Sequence, residues 1–170
     1  MQYQSVVILP FFVILSTIAL QAPGGGGEGR PKDAKAEAIR KELKRFAGTW
    51  ELHFRGMNGR RFDHRAQERK TGEKYRWVLR EDGTFVFQGK GKMEQKSKLV
   101  IDPTARPKKL DIVHYTDTWE RVVASCIYEL DGDELWICGG PNGAPRPNDF
   151  TFNGDNLQTL DIWRRVKDKK

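Results

Sequence analysis

Hydrophobic positions along this chain follow three regimes in turn: a continuous run, a helical stripe, and then alternation to the end. Val6–Leu20 (VVILPFFVILSTIAL) is an uncharged run of 15 residues, apolar except at Pro10, Ser16 and Thr17. A spanning helix needs about 20 such residues, so the run has the length of a secretory signal's apolar stretch. Thr17 and Ala19 supply small residues for cleavage after Ala19, and cleavage after Ala22 fits as well. Met1–Ser5 has no Lys or Arg, so the run reads as a cleaved signal peptide over 1–22 or as an uncleaved N-terminal anchor. Pro23 and Gly24–Gly27 open a flexible linker over 23–32, and the domain proper is expected over 33–170. An exported chain, periplasmic or extracellular, follows from this leader, with no membrane span left after cleavage.

Asp33–Phe46 carries Ala36, Ile39, Leu43 and Phe46 at spacings of three and four, with Lys and Arg opposite. This predicts a short amphipathic helix with Asp33 as its N-cap, docking its stripe on the domain. From Gly48 the period falls to two. Trp50, Leu52 and Phe54 are expected on one face of a first strand, with Glu51 and His53 on the other. Asn58-Gly59 marks a turn. Arg60–Lys74 is polar and reads as a long loop or irregular hairpin. Tyr75–Arg80 and Thr84–Gln88 are expected to pair around Asp82-Gly83. Leu99–Ile101 and Leu110–Tyr115 follow, then Arg121–Leu130 and Glu134–Cys138 across Asp131-Gly132-Asp133. Asp149–Phe152 and Leu160–Val166 close the chain around Asn153-Gly154-Asp155. Short strands with turn signals every 8–12 residues predict a mainly β, antiparallel up-and-down barrel of about eight strands with a short N-terminal helix. Its interior is expected to hold Trp50, Leu52, Phe85, Phe87, Ile112, Ile127 and Trp136.

Gly48-Thr49-Trp50, placed at the start of the first strand after a short helix, resembles the lipocalin and fatty-acid-binding superfamily, as does Arg164-Arg165 at the end of the last strand. The resemblance implies that Trp50 closes one end of a barrel and that Arg164 packs over its face, a contact of about 0.5–2 kcal/mol. Four stretches resemble an uncharacterised lipocalin-like domain family of exported planctomycete proteins more closely: Glu42–Trp50 (ELKRFAGTW), Asp102–Ile112 (DPTARPKKLDI), Ile127–Cys138 (IYELDGDELWIC) and Arg146–Phe150 (RPNDF). They run in the family's order from about residue 40 to the end. That family has no established activity or catalytic residues, so the resemblance bears on fold and location alone.

Charge is unevenly placed along the chain. The 170 residues carry a net charge of +7, with 16 Lys/Arg against 7 Asp/Glu between residues 30 and 80. Arg55–Arg80 alone holds nine basic and three acidic residues, a departure from the family pattern. Arg60, Arg61, Arg65, Arg69 and Lys70 form a candidate anion-contact surface, for an anionic envelope component or a protein partner. Interleaved Phe62, Tyr75 and Trp77 suit single-stranded nucleic acid, but an exported chain argues against that partner.

The remaining chemistry is sparse. The two cysteines, Cys126 and Cys138, are too few for a four-thiolate zinc site. A three-residue hairpin loop would set them opposite each other as a candidate disulfide; otherwise they are two buried thiols. His53, His64 and His114 lack metal-ligand spacing, and Asp63-His64 are sequence neighbours that rarely form a catalytic dyad. Asp131-Gly132-Asp133-Glu134 reads as a hairpin turn rather than a calcium loop, and Gly139–Gly143 as a mobile rim loop rather than a phosphate loop. No nucleophile–base pair or cofactor motif stands out, so the expectation is a monomeric, non-enzymatic domain without cofactor. It would bind a small apolar or amphipathic ligand, with Arg or Lys at the mouth selecting an acidic head, or else act as an interaction module through residues 55–80. Alternation leaves open whether the barrel is filled or hollow.

Overall fold

The computed structural model describes residues 31–89, 96–141, 143–154 and 157–167. The leader, most of the linker, Asn142 of the glycine-rich run and Asp155 of the last turn lie outside the described residues. The elements are α1 (Pro31–Phe46), β1 (Gly48–Met57), β2 (Arg60–Asp63), α2 (His64–Thr71), β3 (Arg76–Leu79), β4 (Thr84–Gln88), β5 (Lys96–Asp102), β6 (Lys109–Tyr115), β7 (Glu120–Asp131), β8 (Glu134–Pro141) and β9 (Thr159–Arg165). Strands are hydrogen-bonded in the order β2-β1-β3-β4-β5-β6-β7-β8-β9, and β1 also pairs with β9. Every pairing is antiparallel. The result is a closed barrel of eight strands, β1 and β3–β9, consistent with a lipocalin-like barrel. Closure removes the exposed edges that an open sheet would leave. β2 pairs with the far half of β1, beyond the stretch that β3 occupies.

α1 begins two residues earlier than expected. Proline opens it, a position where the missing N–H is no loss, and Asp33 lies in its first turn instead of capping it. Ile39, Leu43 and Phe46 pack on the barrel core, and Phe46 meets Tyr128 edge-on at 5.1 Å. Glu42, 6% exposed, ties the helix down: it accepts from Arg45 (2.7 Å), Lys108 (2.9 Å) and the Tyr128 hydroxyl (3.3 Å).

Residues 60–74, expected to be a loop or irregular hairpin, contain β2 and a full helix. Asp63 caps α2 by accepting from Ala66 N at 3.0 Å, and Gly72 ends it in the left-handed region at φ 70°. No residue of α2 is buried, so it has no apolar stripe to betray it. Asp149–Phe152 is not a strand. It lies on the outside of the barrel, where Phe150 and Phe152 join Phe54, Trp136, Ile162 and the buried Ile127, Cys138 and Leu160 in a second apolar cluster.

That outer cluster corrects the expected interior. Trp50, Leu52, Phe85, Phe87 and Ile112 do belong to the inner core, but Ile127 and Trp136 face outward. Both faces of β7 and β8 are apolar, so alternation alone does not choose between them; the inner face takes Cys126, Tyr128, Leu130, Leu135 and Ile137. Phe54 is likewise outside. A register shift between Leu52 and Phe54 against β9 inserts one extra residue, His53, and reverses the faces beyond it.

Candidate functional site

One end of the barrel is sealed. Trp50 is fully buried and donates its Nε1–H to Phe46 O at 2.8 Å. The guanidinium of Arg165 lies 4.2 Å from the Trp50 ring centre and donates to Ala47 O (2.5 Å) and Arg45 O (2.6 Å). The residue over Trp50 is therefore Arg165, and Arg164 is not the one. The β1–β9 register sets Trp50 opposite Arg165, which turns Arg164 outward to Glu134 at 3.0 Å. The signature glycine, Gly48, and Thr49 sit beside it at the start of β1, with Thr49 O accepting from Val166 N.

The middle of the barrel is packed. Trp77 and Trp163 stack at 4.5 Å, with Phe85 4.8 Å from Trp77. Beyond this layer, at the end away from α1, lies a cavity of about 450 Å³. Its lining comes from the far ends of the strands: Arg55 of β1, Phe87 of β4, Ser97 of β5, His114 of β6, Val123 and Ala124 of β7, Gly139 and Gly140 of β8, and Thr159 and Asp161 of β9. A volume of this size, mostly apolar with a few polar groups, suits a small molecule. Gly139 helps to make it. Gly139 and Gly140 belong to β8 and not to a rim loop; a Cβ on Gly139 would stand 2.2 Å from Cys126 Sγ, whereas one on Gly140 would meet Ala144 at 2.8 Å instead.

Arg55 reaches the cavity because of the bulge at His53. It sits opposite Asp161 and donates Nε and Nη2 to the two carboxylate oxygens, both at 2.6 Å. Those hydrogen bonds raise the Arg55 pKa further, against the effect of burial, so the guanidinium is permanently charged and matched by one carboxylate. Asp161 is mostly buried, its side chain 14% exposed. His114 is held below the usual histidine range by burial and by Arg121, and is neutral at pH 7. The indole Nε1–H of Trp163, a residue 1% exposed, is a buried donor with no hydrogen-bond partner among the described residues. Such a group costs about 1–3 kcal/mol relative to a satisfied one.

The other sequence candidates fall elsewhere. The β7–β8 loop has two residues, Gly132 and Asp133, so Asp131 pairs with Glu134 and Cys126 with Gly139, while Cys138 pairs with Ile127. The cysteines therefore lie on opposite faces of the sheet and are both free thiols, which corrects the candidate disulfide. Burial pushes Cys126 up to about 12 and Cys138 up to about 11, so neither is a thiolate at neutral pH. Asp63 is engaged in capping α2, and His64 packs edge-on against Tyr75 at 5.2 Å. Asp133 and Glu134 hold Arg165, Lys167 and Arg164. Among the described residues no His, Cys, Asp and Glu group could hold a metal ion, and no helix is long and apolar enough to cross a membrane.

Arg60 and Arg61 stand on β2, and Arg65, Arg69 and Lys70 on α2, all exposed and none in an ion pair among the described residues. A second, shallower groove of about 520 Å³ lies outside the barrel between His53, Arg61, Trp136, Phe152 and Arg164. Sequence reading missed Arg55 and Asp161 altogether, since strict alternation puts Arg55 on the solvent face. It missed the part played by Arg146, which donates to Leu110 O (3.1 Å), Cys126 O (2.5 Å) and Asp111 (2.6 Å) and so pins the outer segment to β6 and β7. No family model matches this chain, and no curated protein matches it.

Proposed function

We propose that this is a non-enzymatic binding domain, exported and working as a monomer, that carries one small apolar or amphipathic molecule in the open half of its barrel. On this reading it belongs with the lipocalin-like domains of exported planctomycete proteins that its motifs resemble. The observation that carries the proposal is the hollow beyond the Trp77–Trp163 layer. A barrel stabilised only by its own side chains gains by filling such a space, since an empty apolar volume forfeits dispersion contacts on every lining atom. Here, instead, Ala124 and Gly139 keep it open.

The neutral fluorophore N-phenyl-1-naphthylamine tests the proposal. It is expected to gain fluorescence on binding the wild-type protein at micromolar affinity, an order of magnitude usual for ligands of this size in such pockets. Ala124→Leu, which fills the cavity from β7, is expected to weaken that binding at least tenfold while leaving the fold intact by circular dichroism. Equal binding by both proteins would place the probe outside the barrel and remove the proposal's support.

A further inference from the structure

The sequence suggested that a basic residue at the mouth would select an acidic head. The interior argues otherwise. Among the described residues Arg55 is the one cation in the cavity lining, and both oxygens of Asp161 already engage it side-on. His114 adds no charge at neutral pH, and Arg121 opposite it is exposed at the rim, where solvent and salt screen it. An anionic head entering this space would have to compete with Asp161 for Arg55 while lying beside a like charge, at a pair that is only partly open to solvent. A cationic head meets the same obstacle from Arg55.

The pair is still rich in hydrogen bonding. A guanidinium has five N–H donors and a carboxylate about four acceptor positions, and their mutual contact uses two of each. We infer, resting on the binding reading above, that the cavity selects an uncharged amphipathic ligand whose head carries a hydroxyl or carbonyl group, and that the Arg55–Asp161 pair is the specificity device that rejects carboxylates and amines. The charge balance of the site, rather than its volume, sets the ligand class.

Three ligands with the same ten-carbon tail test this: 1-decanol, decanoate and decylammonium, each displacing N-phenyl-1-naphthylamine at pH 7.5 in 0.3 M salt to suppress rim effects. The wild-type protein is expected to bind decanol at least tenfold more tightly than either ion. Asp161→Asn frees Arg55 and is expected to shift the preference toward decanoate by tenfold or more. Arg55→Gln frees Asp161 and is expected to shift it toward decylammonium, which keeps the test decisive should one variant fail to fold. Decanoate binding the wild type as tightly as decanol would overturn the inference while leaving the binding domain intact. An unchanged order in folded Asp161→Asn and Arg55→Gln would do the same. Failure of the fluorophore and of all three ligands to bind would overturn the binding reading as well.

Discussion

Arg164 and Arg165 differ by one position and by everything that surrounds them. Arg165 covers Trp50 and donates to two carbonyls that end α1 and the turn after it, Arg45 O and Ala47 O. Arg164 faces solvent, 54% exposed, against Glu134. A cation–π contact contributes about 0.5–2 kcal/mol, and a hydrogen bond from a charged donor about 1.5–3 kcal/mol, non-additively and less where water has access. Arg165→Ala is therefore expected to lose about 2–4 kcal/mol in urea denaturation. Arg164→Ala is expected to change stability by less than about 0.5 kcal/mol, as exposed ion pairs do. Equal losses would contradict the assignment of the signature to Arg165. The sequence contained the Trp-and-Arg signature, but two adjacent arginines at a strand end are told apart only by register. The same limit applied to the cysteines, since a loop of two residues instead of three sends Cys126 inward and Cys138 outward. It applied most of all to Arg55, because nothing in Leu52-His53-Phe54 announces a bulge.

At the level of elements, most strands and the first helix were legible because their apolar spacing is regular. α2 was not, since its eight residues HRAQERKT contain only Ala66 as an apolar residue. Its signals were at the ends: Asp63 as N-cap and Gly72 as C-cap, spaced for two turns. α1 shows how an element is fastened and not just formed. Burial works to raise the Glu42 pKa, but hydrogen bonds from Lys108 and Arg45 outweigh it, and the net shift is downward from 4.5. A carboxylate whose folded pKa is depressed stabilises the fold above its unfolded pKa, and that contribution is lost as pH falls through the folded value. Glu42→Gln is expected to cost about 1–3 kcal/mol at pH 6, a figure tempered by the partial exposure of Arg45 and Lys108. The gap between wild type and variant should narrow as pH drops below 4.5. Asp102, paired with Lys35 of the same helix, titrates in both proteins and so cancels in the comparison. A gap that stays constant from pH 6 to pH 3 would show that Glu42 does not act through its charge.

For the molecule as a whole, the closed eight-stranded barrel was legible from turn spacing, whereas the hollow was not. A cavity is a property of which residues are missing from a shared space, and Ala124, Gly139 and the inward Arg55 come from three different strands. Apolar residues on both faces of β7 and β8 further hid which side was the interior. They serve two cores, the barrel's own and the outer cluster around Phe150 and Phe152 that Arg146 anchors. Under the proposed function, the open half of the barrel is occupied in the protein's natural setting. Native mass spectrometry of the domain isolated from its own source measures this most directly. A single added mass is expected, one that leaves on denaturation and belongs to an uncharged amphipathic molecule. A bare protein mass in every preparation would contradict it.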